Sequence, residues 1–279
     1  TDPSGPGSSS LLGYFDKENV QEYTPVMTDW VRHVSKAVRG RVDGPGLVGA
    51  RIYPTEHINL GAGLDVQTWL REGLVDYVAP NIRGPRILHQ NMDVEWLVEA
   101  AHDNGISIYP LLHPMYRDDA YATSDMMRGA FANYRDRGVD GLYIWALKWP
   151  LGAEQRGILT DQGDSADLGN RAKHYFIPQR RPSVEGANSY ESVLPLSIAS
   201  NDTGVKYAVS MYVADDLAED PAREVCLRLF VTGLVDADQF TIYLNERSIM
   251  HEQSRRYFDD VITPEAGRWV EITLADVRP

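Results

Sequence analysis

The chain has 279 residues, is 43% apolar and carries a formal charge of -13, enough for one large domain or two ordinary ones and unlike a disordered or fibrous composition. The negative balance argues against a nucleic-acid partner, because phosphate binding needs a positive face and the nearest Lys/Arg cluster is the short "PQRRP". Nowhere do 18 apolar residues run together, so no membrane span is expected.

Residues 1–10, "TDPSGPGSSS", read as a disordered start with neither an initiator methionine nor an apolar targeting segment. "PVMTDWVRHVSKAVRG" then spaces Val26, Trp30, Val31, Val34 and Val38 on one helical face, and "LVGARIYP" (47–54) follows as a strand. Three further helices end alike, in "LREG", "HDNG" and "RDRG", each delivering a glycine suited to the left-handed position past a helix. Each is followed at once by a strand: "LVDYVAP" (74–80), "ISIYP" (106–110) and "VDGLYIWALKWP" (139–150). The strands are β-branched and aromatic without clean alternation, and all four close on a proline, Pro54, Pro80, Pro110 or Pro150, where a strand gives way to a loop. Spacing of about 30 residues per strand is that of βαβ units, so the fold class is α/β with parallel strands expected near 47–53, 75–80, 106–112 and 140–147. No glycine-rich phosphate fingerprint opens a helix; "GPGLVGA" precedes a strand and fails the context test.

"DLGNRAKHYF" reads as a closing helix and residues 179–190 as a linker. From 191 to 279 the pattern is antiparallel, with strands in "VLPLSIA", "VKYAVSMYVAD", "EVCLRLFVTGL", "DQFTIYLNERSI" and "RWVEITLADV", as in a partial β-sandwich. Phe240, Ile242 and Leu244 face one way there. The single cysteine, Cys226, is expected to be a buried thiol. Cysteine usage leaves the compartment open, with an extracellular or periplasmic location the expectation. Trp30, Trp69 and Trp96, on apolar helix faces, are expected in the core.

The wording of the modules resembles a bacterial family of glycoside-hydrolase-like (β/α)8 barrels. "LGAGLDVQTWLREGLVDYVAP", "ISIYP" and "YRDRGVDGLYIWAL" look like that family's sixth, seventh and eighth units, and "VMTDWVRHVSKAV" with "LVGARIYPT" like its fourth helix and fifth strand. The resemblance covers residues 11–178 and implies half of a TIM barrel, strands five to eight, followed by an antiparallel β-sandwich-like domain. It departs from the family in having too few residues ahead of its first helix for strands one to four, and in stopping at "LADVRP" without a sandwich partner. A chain cut at both ends is the expectation, its missing N-terminal half-barrel supplied in the same chain or by a second polypeptide.

In that fold the working groups lie on loops after the C-terminal ends of the strands. Glu56 and His57 follow the first strand, Asn81 and Arg83 the second; Tyr109 and His113 lie around the third, with Tyr116, Asp118 and Asp119, and Trp145, Lys148 and Trp149 around the fourth. Aromatic and amide groups suit sugars, whose C–H faces stack on indole and whose hydroxyls pair with Asn, His, Arg and carboxylates. Glycoside cleavage needs two flanking carboxyl groups. Glu56 is the first candidate, against the bland reading of a solvated loop residue, with His113 as its catalytic companion. Asn81, Arg83, Tyr109, Trp145 and Lys148 are the candidate substrate-binding residues; for Trp145, stacking on sugar stands beside filling the core. Asp118, Asp119, Glu154, Asp161 and Asp164 read as a polar rim or as helix caps. His57 and His113 match no metal-ligand spacing, so neither metal nor cofactor is expected.

These residues point to part of a carbohydrate-active glycoside hydrolase acting on a polysaccharide or oligosaccharide, inactive by itself, with a non-catalytic carbohydrate-binding barrel as the alternative. A barrel enzyme for phosphorylated metabolites is disfavoured, because "LLHPMYRDD" and "KWPLGAEQRG" are poor phosphate loops.

Overall fold

The computed structural model describes residues 20–41, 44, 46–82, 87–117, 120–163, 168–178, 192–199, 202–217, 224–235, 238–249, 255–259 and 267–274. The chain divides into two compact units, Thr1–Ala214 and Asp215–Pro279. The first is mixed α/β. In chain order it holds α1 (Val20–Arg39), β1 (Gly49–Ile52), α2 (Glu56–Gly61), α3 (Val66–Arg71), β2 (Tyr77–Pro80), α4 (Glu95–His102), β3 (Ser107–Ile108) and β4 (Leu111–Leu112). A small hairpin, β5 (Met115–Arg117) and β6 (Ala120–Tyr121), leads to α5 (Ser124–Asp136), β7 (Tyr143–Ile144) and α6 (Ala153–Gly163).

The strands pair in sequence order and in parallel: β1 with β2, β2 with β3, β4 with β7. Between β3 and β4 the chain stays extended, since Tyr109 N–H donates to Val78 O (2.9 Å) and Pro110 O accepts from Tyr143 N–H (3.0 Å). One segment thus passes from β2 to β7. The expected strand near 106–112 is this pair, interrupted at Pro110, which has no N–H to give the ladder. Among the described residues the strands do not close into a barrel.

The repeated wording has a repeated structural cause. Gly73, Gly105 and Gly138 all adopt positive φ, of 61°, 68° and 84°, and turn the chain from helix to strand. The Val-Asp pairs that follow two of these glycines also act alike. Asp76 accepts from Val48 N–H (2.6 Å), just ahead of β1, and Asp140 from Ile108 N–H (2.8 Å) on β3. Each carboxylate ties the strand it precedes to the entry of the strand before it.

One face of the sheet carries Ile52, Val78, Ile108 and Leu112, which pack with Val31, Leu70, Leu97 and Phe131 of the helices in a single apolar cluster. On α1 the buried stripe is Val20, Met27, Thr28, Val31 and Ser35. Val26 and Trp30 are exposed, which corrects the sequence reading. Each sits one residue before a buried position, about 100° round the helix and off the stripe. Trp69 is buried, its Nε1 donating to Thr28 Oγ1 (3.1 Å), and Trp96 is partly buried, its Nε1 donating to Pro54 O (2.6 Å).

Four other segments depart from expectation. Residues 153–157, the end of the loop read in "KWPLGAEQRG", open α6, and residues 172–176 of the expected closing helix carry no helix. The Gln90 side chain holds that stretch open, its Oε1 accepting from Phe176 N–H (2.8 Å) and its Nε2 donating to His174 O (2.8 Å). Residues 193–199 and 205–215, expected as strands, have no regular strand structure. Residues 212–214 are bound to α5: Asn133 Nδ2 donates to Tyr212 O (3.1 Å), its Oδ1 accepts from Ala214 N–H (3.0 Å), and the Arg137 guanidinium lies 4.3 Å from the Tyr212 ring centre. The expected linker at 179–190 lies outside the described residues, as does the start at 1–10.

The second unit is antiparallel. β8 (Val225–Thr232) pairs with β12 (Gly267–Leu274), which pairs on its other edge with β11 (Arg255–Asp259). β9 (Tyr243–Leu244) and β10 (Arg247–Ser248) form a hairpin turning at Asn245 and Glu246, both at positive φ as a two-residue turn of this kind requires. Phe240, Ile242 and Leu244 pack against Val270, Ile272 and Leu274, as their alternation predicts. Cys226 is exposed, contrary to the sequence reading, because Val225, Leu227, Leu229 and Val231 take the cluster side of β8 and Cys226 alternates away from it.

Candidate functional site

The other face of the parallel sheet is turned away from the helices of the apolar cluster. Strand parity places Gly49, Arg51, Tyr77, Ala79, Ser107, Tyr109, Leu111, Gly141, Tyr143 and Trp145 there, Ala79 and Leu111 buried among them. Toward its N-terminal end the face is filled by rings. Tyr77 and Tyr109 meet edge to face, 5.8 Å between centres, and glycines lie beneath them: a Cβ at Gly49 would stand 2.1 Å from the Tyr77 ring, and one at Gly141 3.0 Å from Tyr109.

Toward the C-terminal ends four side chains converge. Arg51 donates from Nε (3.2 Å) and Nη2 (2.8 Å) to Asn81 Oδ1, and its guanidinium lies 5.5 Å from the Trp145 ring centre. Asn81 Nδ2 approaches His113 Nε2 at 3.5 Å, and the His113 ring meets Trp145 at 6.4 Å between centres. Asn81 is only 3% exposed, so the amide that orients Arg51 is itself fixed; Trp145 is 41% exposed and presents indole to the open side. In a flat sheet Arg51 and Trp145, three strand intervals apart, would lie about 14 Å from each other. Their long side chains reach across the intervening strands to meet. Ala146, next along, has φ of 58°, a left-handed conformation that costs a non-glycine residue about 1 kcal/mol and turns the chain directly behind Trp145.

Asn81, His113 and Trp145 are thus brought together. Tyr109 is half-buried deeper on the same face, against Tyr77. Glu56 opens α2 as an exposed residue and touches none of the cluster, and Lys148 is exposed beyond β7 with no hydrogen bond or ion pair to it. Arg83, Asp118, Asp119 and Asp164 lie outside the described residues. Asp161, expected on a rim, is 3% exposed and paired with Arg128 (3.0 Å) and Arg171; Glu154 is exposed. Sequence reasoning missed Arg51. The signal was present: a charged residue in mid-strand, with the parity of Gly49 rather than of Ile52.

Two further ionisable groups flank the β2–α4 connection. Burial, helped by the Arg137 charge, pushes His89 down to about 3, and its Nδ1 accepts from Asn91 N–H (3.1 Å), which requires the neutral ring. Partial desolvation and the Glu95 side chain hold the Asp93 carboxyl above its usual range. Among the described residues no group of three His, Cys, Asp or Glu side chains is placed to hold a metal ion, and no helix is long and apolar enough to cross a membrane.

The chain matches no known family model, and no curated protein matches it significantly.

Proposed function

We propose that the first unit is one half of a (β/α)8 barrel whose concave face binds carbohydrate, as part of a glycoside hydrolase acting on a polysaccharide or oligosaccharide. The observation that carries this reading is the convergence of Arg51, Asn81, His113 and Trp145 at the C-terminal ends of parallel strands, on the face turned away from the helices of the apolar cluster. A doubly wound sheet buries both faces under helices, whereas a barrel turns one face inward. The antiparallel second unit, with its hairpin packed on one face of a three-stranded sheet, fits the β-sandwich that follows such barrels.

On this reading Trp145 stacks on a pyranose face, and Asn81 and His113 contact hydroxyls. Glu56 and His113 are the candidate catalytic residues, completed by a carboxyl group on the other half-barrel, in the same chain or on a second polypeptide. The acid pair must stand about 5 to 9.5 Å apart across the glycosidic bond. Arg51, Asn81 and Trp145 touch no carboxylate among the described residues, and this favours the second reading, a non-catalytic carbohydrate-binding barrel.

Screening complex polysaccharides for released reducing ends, with these 279 residues alone and with a complementary half-barrel supplied, separates the two. Cleavage only by the completed form supports the hydrolase. Binding without cleavage by either form supports the binding protein, and absence of both overturns the carbohydrate reading.

A further inference from the structure

The arginine missing from the sequence reading tells something about the ligand. Arg32, Arg39, Arg128, Arg137, Arg171 and Arg228 each pair with a carboxylate. Arg51, like Arg71 and Arg135, bonds instead to a neutral oxygen, and its guanidinium carbon also lies 5.5 Å from an indole centre. Two of its five N–H donors are taken by Asn81, and the rest remain for whatever enters the open face. A chain with a formal charge of -13 has spare carboxylates everywhere, yet none of a described residue neutralises this guanidinium. It is also pre-oriented, since Asn81 is 3% exposed and anchors both Nε and Nη2.

Resting on the carbohydrate reading, we propose that Arg51 binds the anionic substituent of an acidic sugar, a uronate carboxylate or a sulfate ester, while Trp145 beside it stacks on the ring. A guanidinium grips such oxyanions through two parallel N–H···O bonds, stronger than bonds between neutral groups.

The test measures binding of oligosaccharides to the 279-residue chain by tryptophan fluorescence and calorimetry. The probes are hexagalacturonate, its carboxyl-reduced counterpart and a sulfated galactan hexamer. A charge-assisted hydrogen-bond pair corresponds to roughly 10- to 100-fold, so one anionic probe should exceed the reduced sugar by at least about tenfold. R51Q should erase that preference and leave the reduced sugar's affinity in place, and R51K should retain part of it. Whichever anionic probe shows the preference identifies the substituent. Equal binding of all three by the wild-type chain overturns the inference and leaves the carbohydrate reading standing; binding of none overturns both. A preference that survives in R51Q, with an unchanged melting temperature, also overturns it, as does displacement of the anionic probe by an equal concentration of sodium sulfate.

Discussion

The two faces of the parallel sheet share every strand and almost nothing else. Ile52, Val78, Ile108 and Leu112 lie under helices, while their neighbours Arg51, Tyr77, Tyr109 and Trp145 line the opposite face. Backbone pairing is common to both, so the contrast belongs to the side chains: aliphatic groups where stability is made, rings, an amide and a guanidinium where a ligand can be met. The difference can be broken most forcefully by substitution. Leu112→Ala, which empties a site 1% exposed, should cost about 2–5 kcal/mol in denaturant unfolding. Tyr143→Ala on the open face, at a residue 46% exposed, should stay within about 0.5 kcal/mol. Equal losses would mean that the second face is buried after all.

A pH titration sharpens the same contrast, because the covered side also encloses polar groups. Folded His89 stays neutral down to about 3, whereas its ordinary value is 6.5. Between these values the unfolded chain binds a proton that the folded chain refuses, so this contribution is whole above the upper value and is lost as pH falls. The loss approaches about 1.4 kcal/mol per pH unit, roughly 3 kcal/mol between pH 7 and 4. The slope measured for the wild type minus that for H89Q isolates the term, and a zero difference would place His89 in water.

The covered face was legible in sequence because helix and strand periods and the repeated glycines are local signals. Gly73, Gly105 and Gly138 each occupy the predicted left-handed position. The open face was legible only in part. Asn81, His113 and Trp145 were found from their places after strands, but Arg51 comes before the strand's end, and its role depends on Asn81, 30 residues away. Trp30 misled for the opposite reason: a period of 3.6 fixes a stripe's direction only to within a residue, and Met27, Thr28 and Val31 define it here. Residues 205–211 alternate Val205, Tyr207, Val209 and Met211 as a strand would, yet all four are exposed and no ladder forms among the described residues. Alternation signals a pleated surface; pairing needs a partner that the segment itself does not encode.

Trp145 tests whether the open face binds. Trp145→Ala should weaken oligosaccharide binding by about 1–3 kcal/mol, the worth of one buried aromatic face. At a residue already 41% exposed the melting temperature should hardly move. A drop in stability with unchanged affinity would return Trp145 to the core and the open face to packing.

The smallest effect is expected on the second unit, which repeats the two-faced pattern in antiparallel form. Leu227 points to the apolar cluster, while Cys226 points away, on the same side as Arg228 and Glu271, whose side chains bond at 2.7 Å. C226S should therefore change stability by no more than about 0.5 kcal/mol, where Leu227→Ala costs more. Exposure also makes the thiol reachable without unfolding, but reach is not reactivity. Partial desolvation and then the Glu271 charge hold it above its usual value, so little thiolate exists at neutral pH. Labelling of the native protein should go to completion, more slowly than for free cysteine at pH 7, and accelerate about tenfold per unit as pH rises toward the thiol's own range. A thiol silent at every pH until denaturant is added would bury Cys226 and reverse the two faces of β8.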